Sequence, residues 1–192
     1  MASPLSLPML LTWARIAMVP LVVGVFYLPG GWIAPSVKNI TACSLFTLAA
    51  ITDAFDGYLA RRYGQTSQLG AFLDPVADKL MVCAALVVLL ERGRIDALVA
   101  LVIIGREIAV SALREWMAQV GASRSVAVSS LGKIKTIAQM IAIPMLLFYD
   151  PLFGVINVRL IGLVLLYVAA VLTAWSMLYY LKQAWPHLDE RR

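Results

Sequence analysis

The stretch TDAFDGYLARRYGQTSQLGAFLDPVADK, Thr52 to Lys79, places four aspartates, Asp53, Asp56, Asp74 and Asp78, in a chain with only 11 acidic residues among 192. At about 100° per residue, Asp53, Asp56, Gly57 and Ala60 fall at roughly 0°, 300°, 40° and 340° around a helix. Two acids therefore share a narrow face with two residues that have almost no side chain, and Arg61 flanks that face at about 80°. Gly70, Asp74 and Asp78 follow at i, i+4 and i+8, one stripe on a second helix. The polar segment Tyr63–Leu69 between them is long enough to turn and bring the two acid faces together.

The setting is apolar. Hydrophobic residues make up 61% of the chain and charged residues 14%, against about half and a quarter in a soluble domain. A hydrocarbon core of about 30 Å needs roughly 20 apolar residues in a helix. Such spans are placed at Leu10–Leu28, Val37–Leu59, Phe72–Leu90, Ile95–Met117, Ile134–Tyr149 and Val158–Leu181. The expected fold is all-α: a polytopic membrane protein, one domain over residues 1–192, with six transmembrane helices. A β-barrel would alternate apolar and polar residues, and these runs are continuous. No positive charge precedes the first run and no small-residue site closes it, so it does not read as a signal peptide. Pro4, Pro8 and Trp13 suit an N-terminal interfacial helix over Ser3–Arg15 leading into the first span.

Orientation follows from the basic residues. With six spans, Lys38, Arg92, Arg94 and Arg159 fall on one side and the remaining twelve of 16 Lys and Arg on the other. The richer side is assigned to the cytoplasm. The net charge of +5 is then an orientation signal and an attraction to anionic lipid, and no nucleic-acid partner is expected. Cys43 and Cys83 fall inside spans as packing residues. His187 lies beyond Pro186 in a polar tail.

An Asp within the bilayer costs roughly 2.5–3.5 kcal/mol on insertion scales and usually marks function. Arg61, Arg62 and Lys79 could neutralise three of the four acids. Lys79, however, points about 100° away from Asp78, and ion pairs do not explain Gly57, Ala60 and Gly70 on the acid faces. Small residues beside carboxylates leave a cavity. Converging oxygen ligands without His or Cys suit hard cations such as Mg²⁺ or Mn²⁺, and such sites commonly serve phosphates.

The pattern Asp53-x-x-Asp56-Gly57-x-x-Ala60-Arg61, eight residues, then Gly70-x-x-x-Asp74-x-x-x-Asp78 resembles the signature of the CDP-alcohol phosphotransferases without a mismatch. The resemblance implies six transmembrane helices, a homodimer, and transfer of a substituted phosphate from a CDP-linked donor to an alcohol with release of CMP. It implies that Asp53, Asp56 and Asp74 bind two divalent cations. Asp78 would act as general base and contact metal as well. Gly57, Ala60 and Gly70 would make room for the cytidine diphosphate of CDP-diacylglycerol, and Arg61 would hold its phosphates.

A second constellation spans GREIAVSALREW, Gly105–Trp116, and SSLGKIKT, Ser129–Thr136. Arg106 and Arg114 lie about 80° apart on one helix, with Lys133 and Lys135 at the start of the next span. A buried Arg needs an anion, and an Arg–Lys cluster suits an acceptor that carries a phosphate. The patterns R-E-I-x-V-S-x-L-R and G-K-x-K-T-x-x-Q resemble a bacterial branch of the same family whose acceptor is glycerol 3-phosphate, and LDPVADK fits it too. Ala112 departs from a common Gly, and Met9 in PMLLTWAR from a usual Asn, while Thr12 and Arg15 remain. The resemblance implies an enzyme of the bacterial cytoplasmic membrane with its site facing the cytoplasm. Within the family the rivals are transferases that accept phosphatidylglycerol or inositol phosphate. A cation transporter would prefer acids at mid-bilayer on broken helices in inverted repeats. A scaffold would have no use for acid–glycine faces.

Overall fold

The computed structural model describes residues 7–63, 68–119 and 130–189. They form six helices in chain order: α1 (Leu7–Tyr27), α2 (Pro35–Tyr63), α3 (Gln68–Glu91), α4 (Ala97–Gln119), α5 (Ser130–Phe148) and α6 (Val158–Asp189). Among the described residues the only β feature is an isolated antiparallel bridge between Leu152 and Ile156.

The local chemistry accounts for several helix ends. Pro35 opens α2, where its missing N–H costs nothing. Gly93 closes α3 with φ of 64°; its N–H reaches Leu90 O at 2.9 Å and that of Arg94 reaches Leu89 O at 2.9 Å. That paired pattern needs a left-handed residue, which glycine adopts without strain. The Asn157 side-chain oxygen accepts the Leu160 N–H at 3.0 Å and caps α6.

Two expectations are corrected. No separate interfacial helix exists between Leu7 and Arg15, because α1 is one helix from Leu7 to Tyr27. Thr12 and Arg15 are both 1% exposed and contact α3 and α2, so this stretch packs into the bundle. Residues before Leu7 lie outside the described set. At the other end, α6 continues past Leu181 to Asp189, so the segment containing His187 is helical rather than a tail.

One apolar core joins all six helices, through residues such as Val22, Phe46, Leu86, Ile103, Ile143 and Leu166. A smaller cluster of Val110, Met117 and Tyr180 ties α4 to α6. α5 packs most extensively on α6, while α1 packs on both α2 and α3. A Cβ on Gly162 would lie 3.0 Å from Leu146 Cγ and 3.1 Å from Met145 Cβ, so this glycine sets how closely α6 approaches α5.

Beyond this apolar core, the outer faces are apolar too. On α6 the buried residues include Thr173, Ser176 and Tyr180, whereas Val164, Val171, Trp175 and Leu178 are exposed. On α5 Lys135 and Gln139 are buried while Ile134, Ile137 and Ile141 face outward. By length and composition, two runs are apolar enough to cross a membrane, Met9–Tyr27 in α1 and Val158–Gln183 in α6. Cys43 and Cys83 are free and partly buried.

Three of the four basic residues on the poorer side serve as helix caps. Lys38 donates to Leu28 O and Arg92 to Phe26 O at the end of α1. Arg94 donates to Leu146 O at 2.9 Å and Leu147 O at 2.8 Å at the end of α5. Helix C-termini expose carbonyls with partial negative charge, which these cations satisfy.

Candidate active site

α1 links the two acid-bearing helices. Thr12 and Arg15 lie three residues apart and so share one face. Arg15 Nη1 is 2.6 Å from Asp53 Oδ1 on α2. Thr12 Oγ1 donates to Asp74 Oδ1 on α3 at 2.6 Å. Asp53 thus has an ion partner from another helix, Arg15, which the sequence reading did not pair with it. The ion pair holds Asp53 against α1, and the hydrogen bond from Thr12 to an ionised carboxylate, about twice as strong as a neutral one, orients Asp74.

Asp78 lies one turn beyond Asp74 on α3 and borders two cavities. One, of about 10 Å³, is lined by Arg15, Phe46, Ala49, Ala50, Asp53, Asp78, Met81, Val82 and Met140. The other, of about 60 Å³, is lined by Asp78, Lys79, Val82, Glu107, Thr136, Gln139 and Met140. Asp78 is therefore the carboxylate shared between the Asp53 side and the side formed by α4 and α5.

Asp56, Gly57, Ala60 and Arg61 lie in α2, as the sequence predicts, but their side chains are outside the described residues. Gly70 is partly buried one turn before Asp74. Among the described residues, no three His, Cys, Asp or Glu side chains converge on a single point. The carboxylates of Asp53, Asp74 and Asp78 nevertheless present oxygen donors only, the chemistry a hard cation takes.

The basic constellation comes together with partners the sequence reading missed. Arg106 is buried, with Nη1 3.1 Å from Glu107 Oε1 and Nη2 3.3 Å from Ser176 Oγ. Lys135, also buried, donates to the same Glu107 Oε1. Arg114 is exposed and donates to Tyr180 Oη at 3.1 Å. The guanidinium carbons of Arg106 and Arg114 lie 5.6 and 5.2 Å from the centre of the fully buried Tyr180 ring, a cation–π platform for both. The Lys133 side chain lies outside the described residues. The anion that buried Arg106 demands is thus supplied within the protein by Glu107. Glu107 was findable: an acid inside a predicted span requires a cationic partner. Arg106 Nε still has no hydrogen-bond partner among the described residues, which leaves the cluster one spare donor.

Comparison with known proteins follows these features. The family model described as CDP-alcohol phosphatidyltransferase matches residues 5–175. A CDP-diacylglycerol–glycerol-3-phosphate 3-phosphatidyltransferase of Salmonella choleraesuis is 50% identical over 181 residues, 93% of this chain and 94% of the relative. One of Yersinia enterocolitica is 50% identical over 188 residues, 97% of this chain and 98% of the relative.

Proposed function

The chain belongs to the CDP-alcohol phosphatidyltransferase family, and we propose that it transfers the phosphatidyl group from CDP-diacylglycerol to a hydroxyl of sn-glycerol 3-phosphate, releasing CMP. The observation that carries this reading is half-identity along nearly the whole chain to enzymes bearing that name. The cavity that Asp78 and Glu107 both line, with Glu107 paired to Arg106 and Lys135, supports it.

In this reading the acceptor hydroxyl gives its proton to Asp78 as its oxygen forms a bond to the phosphorus that carries diacylglycerol. The bond from that phosphorus to the oxygen shared with CMP breaks, and CMP leaves with the electron pair. Arg106, Arg114, Lys133 and Lys135 hold the phosphate of glycerol 3-phosphate, with Arg106 contributing its spare Nε donor. Gly57, Ala60 and Gly70 leave room for the cytidine diphosphate, whose phosphates Arg61 holds. Asp53, Asp56, Asp74 and Asp78 would hold two divalent cations, Mg²⁺ or Mn²⁺, which would supply charge neutralisation to the diphosphate and the departing CMP. Thr12 and Arg15 keep Asp74 and Asp53 oriented.

All six helices cross the membrane in this account. The outward apolar faces of α4, α5 and α6 support that reading, since lipid suits such surfaces. The protein is then a homodimer in a bacterial cytoplasmic membrane, its single domain spanning residues 1–192 and its site open to the cytoplasm.

The test is incorporation of labelled glycerol 3-phosphate into lipid by membranes that contain the protein and are supplied with CDP-diacylglycerol. The expected product is phosphatidylglycerophosphate, absent when Asp53, Asp74 or Asp78 is changed to Asn. Label that enters lipid equally well in those variants would overturn the assignment.

A further inference from the structure

Gln139 on α5 is 5% exposed and lines the cavity that Asp78 and Glu107 also border. Its side-chain amide nitrogen is buried and meets no hydrogen-bond acceptor among the described residues. Buried polar groups are almost always satisfied, so an orphan donor on a cavity wall points to something that enters the cavity. The space of about 60 Å³ is well above the ~10–15 Å³ that one water requires, so it admits several heavy atoms. Across it, Arg106 and Lys135 both engage Oε1 of Glu107, which leaves Oε2 for a donor from the cavity. A donor and an acceptor on one small cavity are what a single hydroxyl satisfies, because it accepts one hydrogen bond and gives another.

Resting on the acceptor assignment above, we infer that Gln139 and Glu107 recognise the hydroxyl of the acceptor that does not react. Glycerol 3-phosphate has a terminal hydroxyl, the less hindered nucleophile, and a middle one. The middle oxygen accepts a hydrogen bond from the Gln139 amide while its O–H donates one to Glu107 Oε2, and Asp78 serves the terminal hydroxyl. The cavity then selects a phosphate ester with two adjacent hydroxyls over one with a single hydroxyl. Discrimination arises because an acceptor lacking the middle hydroxyl leaves the buried amide unpaired.

The experiment compares sn-glycerol 3-phosphate with 3-hydroxypropyl phosphate, which keeps the phosphate and the terminal hydroxyl but lacks the middle one. CMP release by purified protein with CDP-diacylglycerol in mixed micelles gives kcat/KM for each. The wild type should favour glycerol 3-phosphate by about tenfold or more, the effect of one lost hydrogen bond at a buried donor. Gln139→Met keeps the volume and removes the donor, so the loss should fall on glycerol 3-phosphate and the ratio should move towards one. Both acceptors are measured on the same preparation, so partial misfolding cancels in the ratio. If that variant does not accumulate, the wild-type ratio decides by itself. A ratio near one in the wild type, or an unchanged ratio in Gln139→Met, overturns the inference and leaves the transferase reading intact. Absence of CMP release with glycerol 3-phosphate would instead sink the transferase reading.

Discussion

Replacing Arg15 with Met removes a guanidinium that is almost fully buried and lies 2.6 Å from Asp53, while most of its apolar stem remains. An ion pair between a buried and a half-exposed partner falls between the about 0–1 kcal/mol of a surface pair and the roughly 3–5 kcal/mol lost on breaking a buried one. The Asp53 side chain is 43% exposed, so water recovers part of that loss, and the desolvation cost of the arginine disappears with it. The net cost of Arg15→Met should be about 1–2 kcal/mol. Asp53→Asn breaks the same pair from the other end and leaves the cation buried without its counter-charge, so it should cost more, about 2–4 kcal/mol. The double variant removes both ends and should be more stable than Asp53→Asn alone. Unfolding of the detergent-solubilised protein, measured without divalent cations, completes the double-mutant cycle. The expected coupling is about 1–2 kcal/mol; additivity within about 0.5 kcal/mol would refute the claim that α1 holds Asp53 through this pair.

Thr12→Val keeps the shape but removes the donor to Asp74, so kcat should fall about tenfold while KM for glycerol 3-phosphate stays near normal; a change confined to that KM would contradict the orienting role. Gly162→Val drives side-chain atoms into Leu146 and Met145 and should destabilise the bundle by about 1–3 kcal/mol in thermal unfolding. Arg106→Ala should raise KM for glycerol 3-phosphate roughly ten- to a hundredfold, more than Lys133→Ala or Lys135→Ala, with the KM for CDP-diacylglycerol little changed. Arg124→Ala, in the polar stretch between the fourth and fifth predicted spans, is its control and should have little effect; an unchanged acceptor KM in Arg106→Ala means the pocket is misassigned.

All six helices were legible because each apolar run is continuous and bounded by polar or turn-forming residues, and the runs predict the helices to within a few residues at most ends. Helical spacing also placed Asp74 and Asp78 on successive turns of one helix. What it could not show is which residue meets which across the bundle. Arg15 and Asp53, Thr12 and Asp74, and Arg106 and Ser176 lie on different helices far apart in sequence, and periodicity carries information only within a helix. The sequence reading sought an outside anion for buried Arg106, although the adjacent Glu107 supplies one. The run through Arg15 looked interfacial because Pro4 and Pro8 suit a helix start and Trp13 the membrane boundary; the buried ion pair of Arg15 explains why it is part of α1 instead. Lys38, Arg92 and Arg94 counted only as charges in the orientation argument, whereas each satisfies helix-terminal carbonyls.

The central claim is an acceptor-dependent transfer. Its most direct test is CMP release by the purified protein in CDP-diacylglycerol vesicles with Mg²⁺, with and without glycerol 3-phosphate. The account predicts that CMP appears only when glycerol 3-phosphate is added, in equal amount to phosphatidylglycerophosphate formed. CMP released at the same rate without the acceptor, or none released with it, would contradict the account.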